Sequence, residues 1–217
     1  MARMQRFFMN RRGFTLIELI VTITILLLLI GLSLPAISGA LNRSRKTEAM
    51  TLITSLESAL TAYQTEYGKW PEALSPYVNQ NGDFTIDADH PGSWGELYRS
   101  LSGYFSGEGY LAQNGTLNNT RCLVFFVPSF SALSSQTTPP FSADTVSPPA
   151  VKTLIDPWRR PYALVLDANG DQKIRVPDTS NSSASPPLVS IEIQRTIGIW
   201  STGPDPNRLS KFVTSWQ

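Results

Sequence analysis

Hydrophobic positions change their spacing several times along this chain. From Phe14 to Leu34 they are almost continuous, broken only by Thr15, Glu18, Thr22, Thr24, Gly31 and Ser33. Such a run predicts a helix, and at ~1.5 Å per residue it would extend about 32 Å, close to the ~30 Å hydrocarbon core of a bilayer. After Pro35 the pattern becomes one-sided. Ile37, Leu41, Ala49, Leu52, Ile53, Leu56, Ala59, Leu60, Tyr63 and Tyr67 recur mostly at intervals of three and four, while Arg43, Arg45, Lys46, Glu48, Glu57 and Glu66 take the other face. This is the period of an amphipathic helix. It stops at Gly68 with Pro71 just beyond, a usual helix ending, so a single rod on the order of 80 Å is predicted from Phe14 to about Tyr67. The apolar stripe is too short for sustained heptads, so it is expected to pack on the sheet of its own domain.

Between Asn79 and Val151 the periodicity lapses and Gly, Ser, Thr and Pro dominate. One short helix around Gly95 to Tyr104 and one strand over Cys122 to Val127 are predicted there, with Ser129 to Pro149 an exposed low-complexity loop. Trp94, Tyr98, Tyr104, Phe105 and Tyr110 form an expected packing cluster. Apolar and β-branched residues return in strands predicted over Tyr162 to Leu166, Leu188 to Gln194 and Thr196 to Ser201, joined by loops short enough for an antiparallel sheet. The fold class is therefore α+β, a long N-terminal helix packed on a small antiparallel β-sheet domain. The expected divisions are 14–35 as a membrane-spanning segment, 36–68 as its amphipathic continuation, and 69–217 as a globular domain with an irregular insertion at 79–150 and a C-terminal sheet at 154–203.

Charge fixes the topology of this arrangement. Eighteen Lys and Arg nearly balance seventeen Asp and Glu over 217 residues, which leaves no basic surface for nucleic acid. Residues 1–12 nevertheless carry Arg3, Arg6, Arg11 and Arg12 with no acid, and the positive-inside bias keeps that end in the cytoplasm and sends the globular domain outside. A secretory signal cut near Ser38-Gly39-Ala40 would also begin with basic and apolar residues, but this apolar run is long for a signal and contains Glu18. An ionised acid at the bilayer centre costs roughly 2.5–3.5 kcal/mol on insertion scales, so Glu18 is a functional residue by expectation.

Reactive chemistry is scarce. Cys122 is the only cysteine, so no intrachain disulfide can form, and its apolar surroundings predict a buried, inert thiol. His90 is the only histidine, which excludes a multi-histidine zinc site and leaves no Ser-His-Asp set; with no Gly-rich phosphate loop either, no enzymatic activity is expected. The sequon-like triplets beginning at Asn114, Asn118 and Asn181 are too short a pattern to carry a role.

The run Arg12-Gly13-Phe14-Thr15-Leu16-Ile17-Glu18-Leu19-Ile20-Val21 resembles the class III signal of type IV prepilins and type II secretion pseudopilins. The resemblance implies a leader of residues 1–13, cleavage by a prepilin peptidase between Gly13 and Phe14 on the cytoplasmic side, and methylation of the new Phe14 amine. It also makes Glu18 the fifth mature residue, able to meet a neighbouring subunit's amine. A buried cation and anion offset one another's desolvation where either alone would be strongly penalised. Pro35 stands where pilins often carry a helix-perturbing proline; a helix end at the membrane surface is the plainer alternative. Tyr67-Gly68-Lys69-Trp70-Pro71, Asp156-Pro157-Trp158 with Pro161-Tyr162, and Gly198-Ile199-Trp200-Ser201-Thr202-Gly203-Pro204-Asp205 resemble phrases of the major pseudopilins. The implied protein is a single-pass bacterial inner-membrane subunit with a periplasmic domain. Its implied partners are other copies of itself, minor pseudopilins, the prepilin peptidase, an inner-membrane assembly platform and membrane lipid. A type IV pilin for adhesion, motility or DNA uptake is the alternative, and a signal-anchored binding module that does not assemble is a third.

Calcium is the one candidate cofactor. Asp167, Asn169 and Asp171 alternate as in an EF-hand loop and Asp178 stands at its twelfth position, but Gln172 replaces the turn glycine, so an Asn-Gly hairpin turn competes with the metal reading. Asp205 falls where the resemblance places a calcium loop, with Pro206 where glycine is usual and Arg208 nearby.

Overall fold

The computed structural model describes residues 13–87, 89, 90, 92–103, 119–121, 123–135, 151–180 and 190–216, with the backbone alone at 32–36, 130, 135, 151 and 152. The leader before Gly13, Cys122, the sequon asparagines and most of the 129–149 loop lie outside the described residues. The chain divides into two compact units, Met1–Ser44 and Arg45–Gln217. Helix α1 (Leu16–Tyr67), 52 residues long, contributes to both and runs through position 35, so Pro35 does not end it.

In the first unit the described structure is helix from Leu16 on, and its large apolar side chains are exposed, Phe14 at 72% and Ile30 at 54% among them. Its threonines look inward. Thr22 Oγ1 donates to the Glu18 and Leu19 carbonyls at 2.8 Å each, and Thr24 Oγ1 donates to the Ile20 carbonyl. Among the described residues no helix is long and apolar enough to cross a membrane. From Leu16 to Gly31, where side chains are described, α1 extends about 24 Å, short of the ~30 Å apolar core, so the span expected over 14–35 is not established by the structure.

The second unit is built around the other part of α1. Ala49, Ile53, Leu56, Leu60 and Tyr63 are buried to 1% exposure or less, at the three- and four-residue steps of one helix face. The helix ends where Gly68 adopts φ +68° and donates its N–H to the Gln64 carbonyl at 2.8 Å, the left-handed cap that glycine makes without a Cβ penalty. A 3-10 helix, Glu72–Tyr77, leads into β1 (Phe84–Ile86) and α2 (Ser93–Ser102). Strands β2 (Leu133–Ser135), β3 (Val151–Leu154), β4 (Tyr162–Leu166), β5 (Ile174–Pro177), β6 (Ser190–Ile193), β7 (Ile197–Ser201) and β8 (Val213–Thr214) follow. The main sheet has the order β1-β4-β7-β8, with every pair antiparallel, and β2-β3 and β5-β6 are two-stranded.

Alternation in β4 and β7 gives the sheet two apolar faces. Tyr162, Leu164 and Leu166 join Ile197 and Ile199 in the core with α1, whereas Val165 and Trp200 meet Ile174 and Val176 of the β5-β6 hairpin. That hairpin explains Gly198, where a Cβ would come within 2.8 Å of Ile174 and 2.9 Å of Val176. The predicted strands over 162–166 and 196–201 and the helix near 95–104 are present within a few residues.

Residues 79–150 supply more than an irregular insertion. They provide β1 at the sheet edge and α2, whose Trp94, Leu97 and Leu101 are buried in the core. The strand expected over Cys122 to Val127 is not formed in its described part. The Phe125 and Phe126 N–H groups instead donate to the Leu101 carbonyl at the end of α2, at 2.8 and 3.1 Å. Asn119 fastens that segment: its side chain donates to the Ser100 and Leu123 carbonyls at 2.9 and 2.7 Å and accepts from Tyr67 Oη of α1 at 2.6 Å. Of the predicted aromatic cluster, Trp94 and Tyr98 lie on α2, and Tyr104, Phe105 and Tyr110 are outside the described residues.

Candidate functional site

Gly13, Phe14 and Glu18 lie together at the start of α1. Gly13 is exposed, has no left-handed backbone angle, and a Cβ there would meet nothing within 4 Å. The chain's own conformation therefore does not require glycine at this position. Phe14 and Thr15 precede the first helical residue. Thr15 is the cap: its Oγ1 accepts from the Glu18 N–H at 3.3 Å, and Glu18 Oε2 reaches back to accept from the Thr15 N–H at 2.9 Å and from Thr15 Oγ1 at 2.7 Å. This reciprocal pair is a capping box, and it satisfies two of the helix's orphan donors. A carboxylate is also favoured there by the positive end of the helix dipole.

Glu18 is thus aimed at the chain's N-terminal end, one residue from the Phe14 nitrogen. Only Oε2 is used. Among the described residues Oε1 accepts no hydrogen bond, so the carboxylate keeps a free oxygen. Thr15 was missed in the sequence reading, although the Thr-x-x-Glu spacing announces it.

The acids considered for calcium are organised as turns. Asp167, buried, accepts from the Gly170 N–H at 2.7 Å and the Gln172 N–H at 2.8 Å, and Asp171 accepts from the Lys173 N–H and from Asn169 Nδ2. Asp178 accepts from Ser180 Oγ and N–H at 2.6 and 3.0 Å, which hold its carboxyl below the ordinary value. Asp205 accepts from the Asn207 N–H at 3.1 Å and stands 3.5 Å from Arg208. Among the described residues no group of three or more His, Cys, Asp or Glu is placed to hold a metal ion. His90 is a surface residue whose Nδ1 lies 2.6 Å from Asp87 Oδ1.

Asp83 was not anticipated. It follows the β1-β4 ladder outward from the Phe84–Leu166 pair and so lies opposite Asp167. It is 2% exposed, and its Oδ1 has no hydrogen-bond partner among the described residues. Burial pushes its carboxyl above the ordinary value; the Ala168 N–H opposes that, and the charges of Asp167 and Asp171 add to it.

The C-terminal half holds a second polar centre. Asp156, 3% exposed, accepts through Oδ1 from the Trp158 and Arg160 N–H groups at 2.9 and 2.8 Å, and through Oδ2 from Ser201 Oγ at 2.5 Å. Ser201 Oγ in turn accepts from the Gly203 N–H at 3.0 Å, so the turn before β4 is fastened to the end of β7.

A family profile described as the prokaryotic N-terminal methylation motif matches residues 8–34, which contain Gly13, Phe14, Thr15 and Glu18. At its N-terminus this chain is therefore similar to type IV prepilins and pseudopilins. Type IV major pilin protein PilE1 of Neisseria gonorrhoeae is 42% identical over 62 residues, 29% of this chain and 38% of that protein. Fimbrial protein EcpC of Eikenella corrodens is 38% identical over 61 residues, 28% of this chain and 40% of its own. Type II secretion system core protein G of Pectobacterium carotovorum subsp. carotovorum is 39% identical over 62 residues, 29% of this chain and 40% of that protein. The matched region spans about two fifths of the length of these relatives. Two of these are named as pilin or fimbrial proteins and one as a secretion-system protein, at 38–42% identity. No solved structure matches.

Proposed function

We propose that this chain is a structural pseudopilin of a type II secretion-like machine, cut between Gly13 and Phe14 and assembled through its N-terminal helix into a periplasmic filament. Glu18 carries the reading. An acid in an exposed apolar helix, with one oxygen engaged by its own helix cap and the other free, suits a neighbouring subunit's Phe14 ammonium. Buried together, the two charges offset one another's desolvation and set the axial register of incoming subunits.

Gly13 fits a requirement imposed by the peptidase, since the chain's own backbone does not need it. Before assembly the apolar helix, continued to Leu34, would anchor the subunit in the inner membrane, with Arg3, Arg6, Arg11 and Arg12 keeping the leader cytoplasmic. Minor pseudopilins, the prepilin peptidase and an inner-membrane platform are the partners this reading requires. Secretion is favoured over a pilus by the Asp156–Ser201 staple: with a single cysteine the C-terminal region has no disulfide, and this buried hydrogen-bonded corner lies in the phrase that resembles the major pseudopilins.

Two measurements test the proposal. The protein recovered from membranes should begin with N-methylated Phe14 by mass; an intact Met1, or cleavage after Ala40, would overturn it. Deleting the chain's gene from its source should stop export of folded periplasmic proteins and leave surface fibres intact. Loss of fibres with export unchanged would establish the pilin alternative.

A further inference from the structure

Arg159 has φ +66° and, with Gln172, is one of the described non-glycine residues in the left-handed region. A side chain is disfavoured there by contact between its Cβ and the following carbonyl, and glycine would remove that cost. Nothing in the turn calls for an arginine. Its bonds run from the Trp158 and Arg160 N–H groups to Asp156 Oδ1, from the Arg159 N–H to the Asp156 carbonyl at 2.9 Å, and from the Asp156 N–H to the Arg160 carbonyl at 2.7 Å. All of these would survive with glycine at 159. Arg160 is drawn onto the Pro204 carbonyl at 3.3 Å, but Arg159 is exposed and its guanidinium has no partner among the described residues. The buried Asp156 therefore fixes the turn rigidly and presents a free guanidinium on a strained backbone. Strain of this kind persists where surrounding structure over-determines it, and it clusters at functional positions.

We infer that Arg159 is a docking residue that binds a carboxylate of a second copy of this chain. The inference rests on the filament reading above. A guanidinium is a planar fork of donors that pairs with a carboxylate through two parallel bonds. Among the described residues Lys69, Arg99, Arg121, Lys173, Arg195 and Arg208 have carboxylate partners; Arg159 shares the lack of one with Arg45, Lys46, Arg175 and Lys211, and of these five Arg159 alone holds a left-handed backbone. A second copy offers the matching sign at Glu48 and Asp89, both exposed and outside the ion pairs formed among the described residues. Holding the fork on a rigid turn lowers the ordering needed when copies meet.

The test uses the full-length chain in cells with its assembly machinery, measuring incorporation into sheared filaments alongside the melting temperature of detergent-extracted protein. Arg159→Gly and Arg159→Asn, both able to hold a positive φ, should keep or raise the melting temperature by about 2 °C and reduce incorporation at least tenfold. Arg159→Lys should retain part of it, and Arg159→Glu should fall below Arg159→Gly because two carboxylates then face each other. Glu18→Ala is run in parallel. If Glu18→Ala blocks incorporation while Arg159→Gly assembles like wild type, the docking role is overturned and the filament reading stands. Equal incorporation of wild type and Glu18→Ala would overturn both. Normal Arg159→Gly filaments that no longer support export would mean the guanidinium meets a different protein, which also overturns docking between copies.

Discussion

The two parts of α1 solve opposite problems with the same backbone. Before Ser44 the described large apolar side chains are exposed; after Arg45 one face, Ala49, Ile53, Leu56, Leu60 and Tyr63, is buried beneath the sheet and α2. The second part has found its neighbours within its own unit; the first leaves its described large apolar side chains exposed. Exposed apolar surface on this scale marks a place for another molecule. What separates the two parts is the spacing of apolar residues, since a stripe needs one neighbour and a fully apolar cylinder needs neighbours all round.

Substitutions on either side of the division should have separable effects, and the largest belongs to the first part. Glu18→Ala should abolish incorporation into filaments while leaving the melting temperature of the second unit within about 1 °C of wild type; a large loss of stability would show that the division fails. Next, Leu60→Ala, at 0% exposure, should cost about 2–5 kcal/mol by chemical denaturation without slowing cleavage after Gly13. Impaired processing in that variant would couple the two parts.

Thr15→Ala should be milder. Removing the cap costs about 0.5–2 kcal/mol locally, read as faster amide exchange in the first turn and a Glu18 carboxylate no longer held at the helix start. Asp83→Asn sharpens the comparison from inside the second unit. Because burial raises the Asp83 carboxyl in the folded state, its contribution to stability is complete below the unfolded value, about 4, and is lost as pH rises through the folded one. Wild type and Asp83→Asn should therefore melt together near pH 4, and the variant should lead by roughly 2–4 °C at pH 7; parallel curves across that window would refute the assignment. The smallest effect concerns calcium. With the Asp167, Asp171, Asp178 and Asp205 oxygens bound in turns, millimolar calcium should move the melting temperature by less than about 1 °C relative to chelator. A rise of several degrees would show that calcium binds the folded chain.

Features governed by local periodicity were legible in the sequence. The reach of α1, its stop at Gly68, and strands β4 and β7 follow from apolar spacing and from turn residues whose physics is local. Gly13, Phe14 and Glu18 could be named from the sequence as candidates, whereas the Thr15 cap was not. Features governed by pairing were hidden. Strand β1 is three residues long, too short to show alternation, and the Asp83–Asp167 opposition exists only once β1 and β4 have chosen their register. The segment after Cys122 has strand composition, yet its Phe125 and Phe126 amides found the Leu101 carbonyl at the end of a helix before they found a strand. Arg159 gave no warning, because its left-handed backbone is imposed by a carboxylate three residues earlier and not by its own side chain.

The hydroxyls of Thr22 and Thr24 give the helix a property its composition alone does not. Both are already returned to the helix's own carbonyls, so they ask nothing of the phase around them. Moving from lipid into a bundle of like helices would break none of these threonine bonds, and the apolar neighbours around them would change in identity alone. Glu18 would gain a partner through its free oxygen. Recruitment of a subunit would then be limited by how often helices meet in the right register, and not by any rupture needed to leave the bilayer.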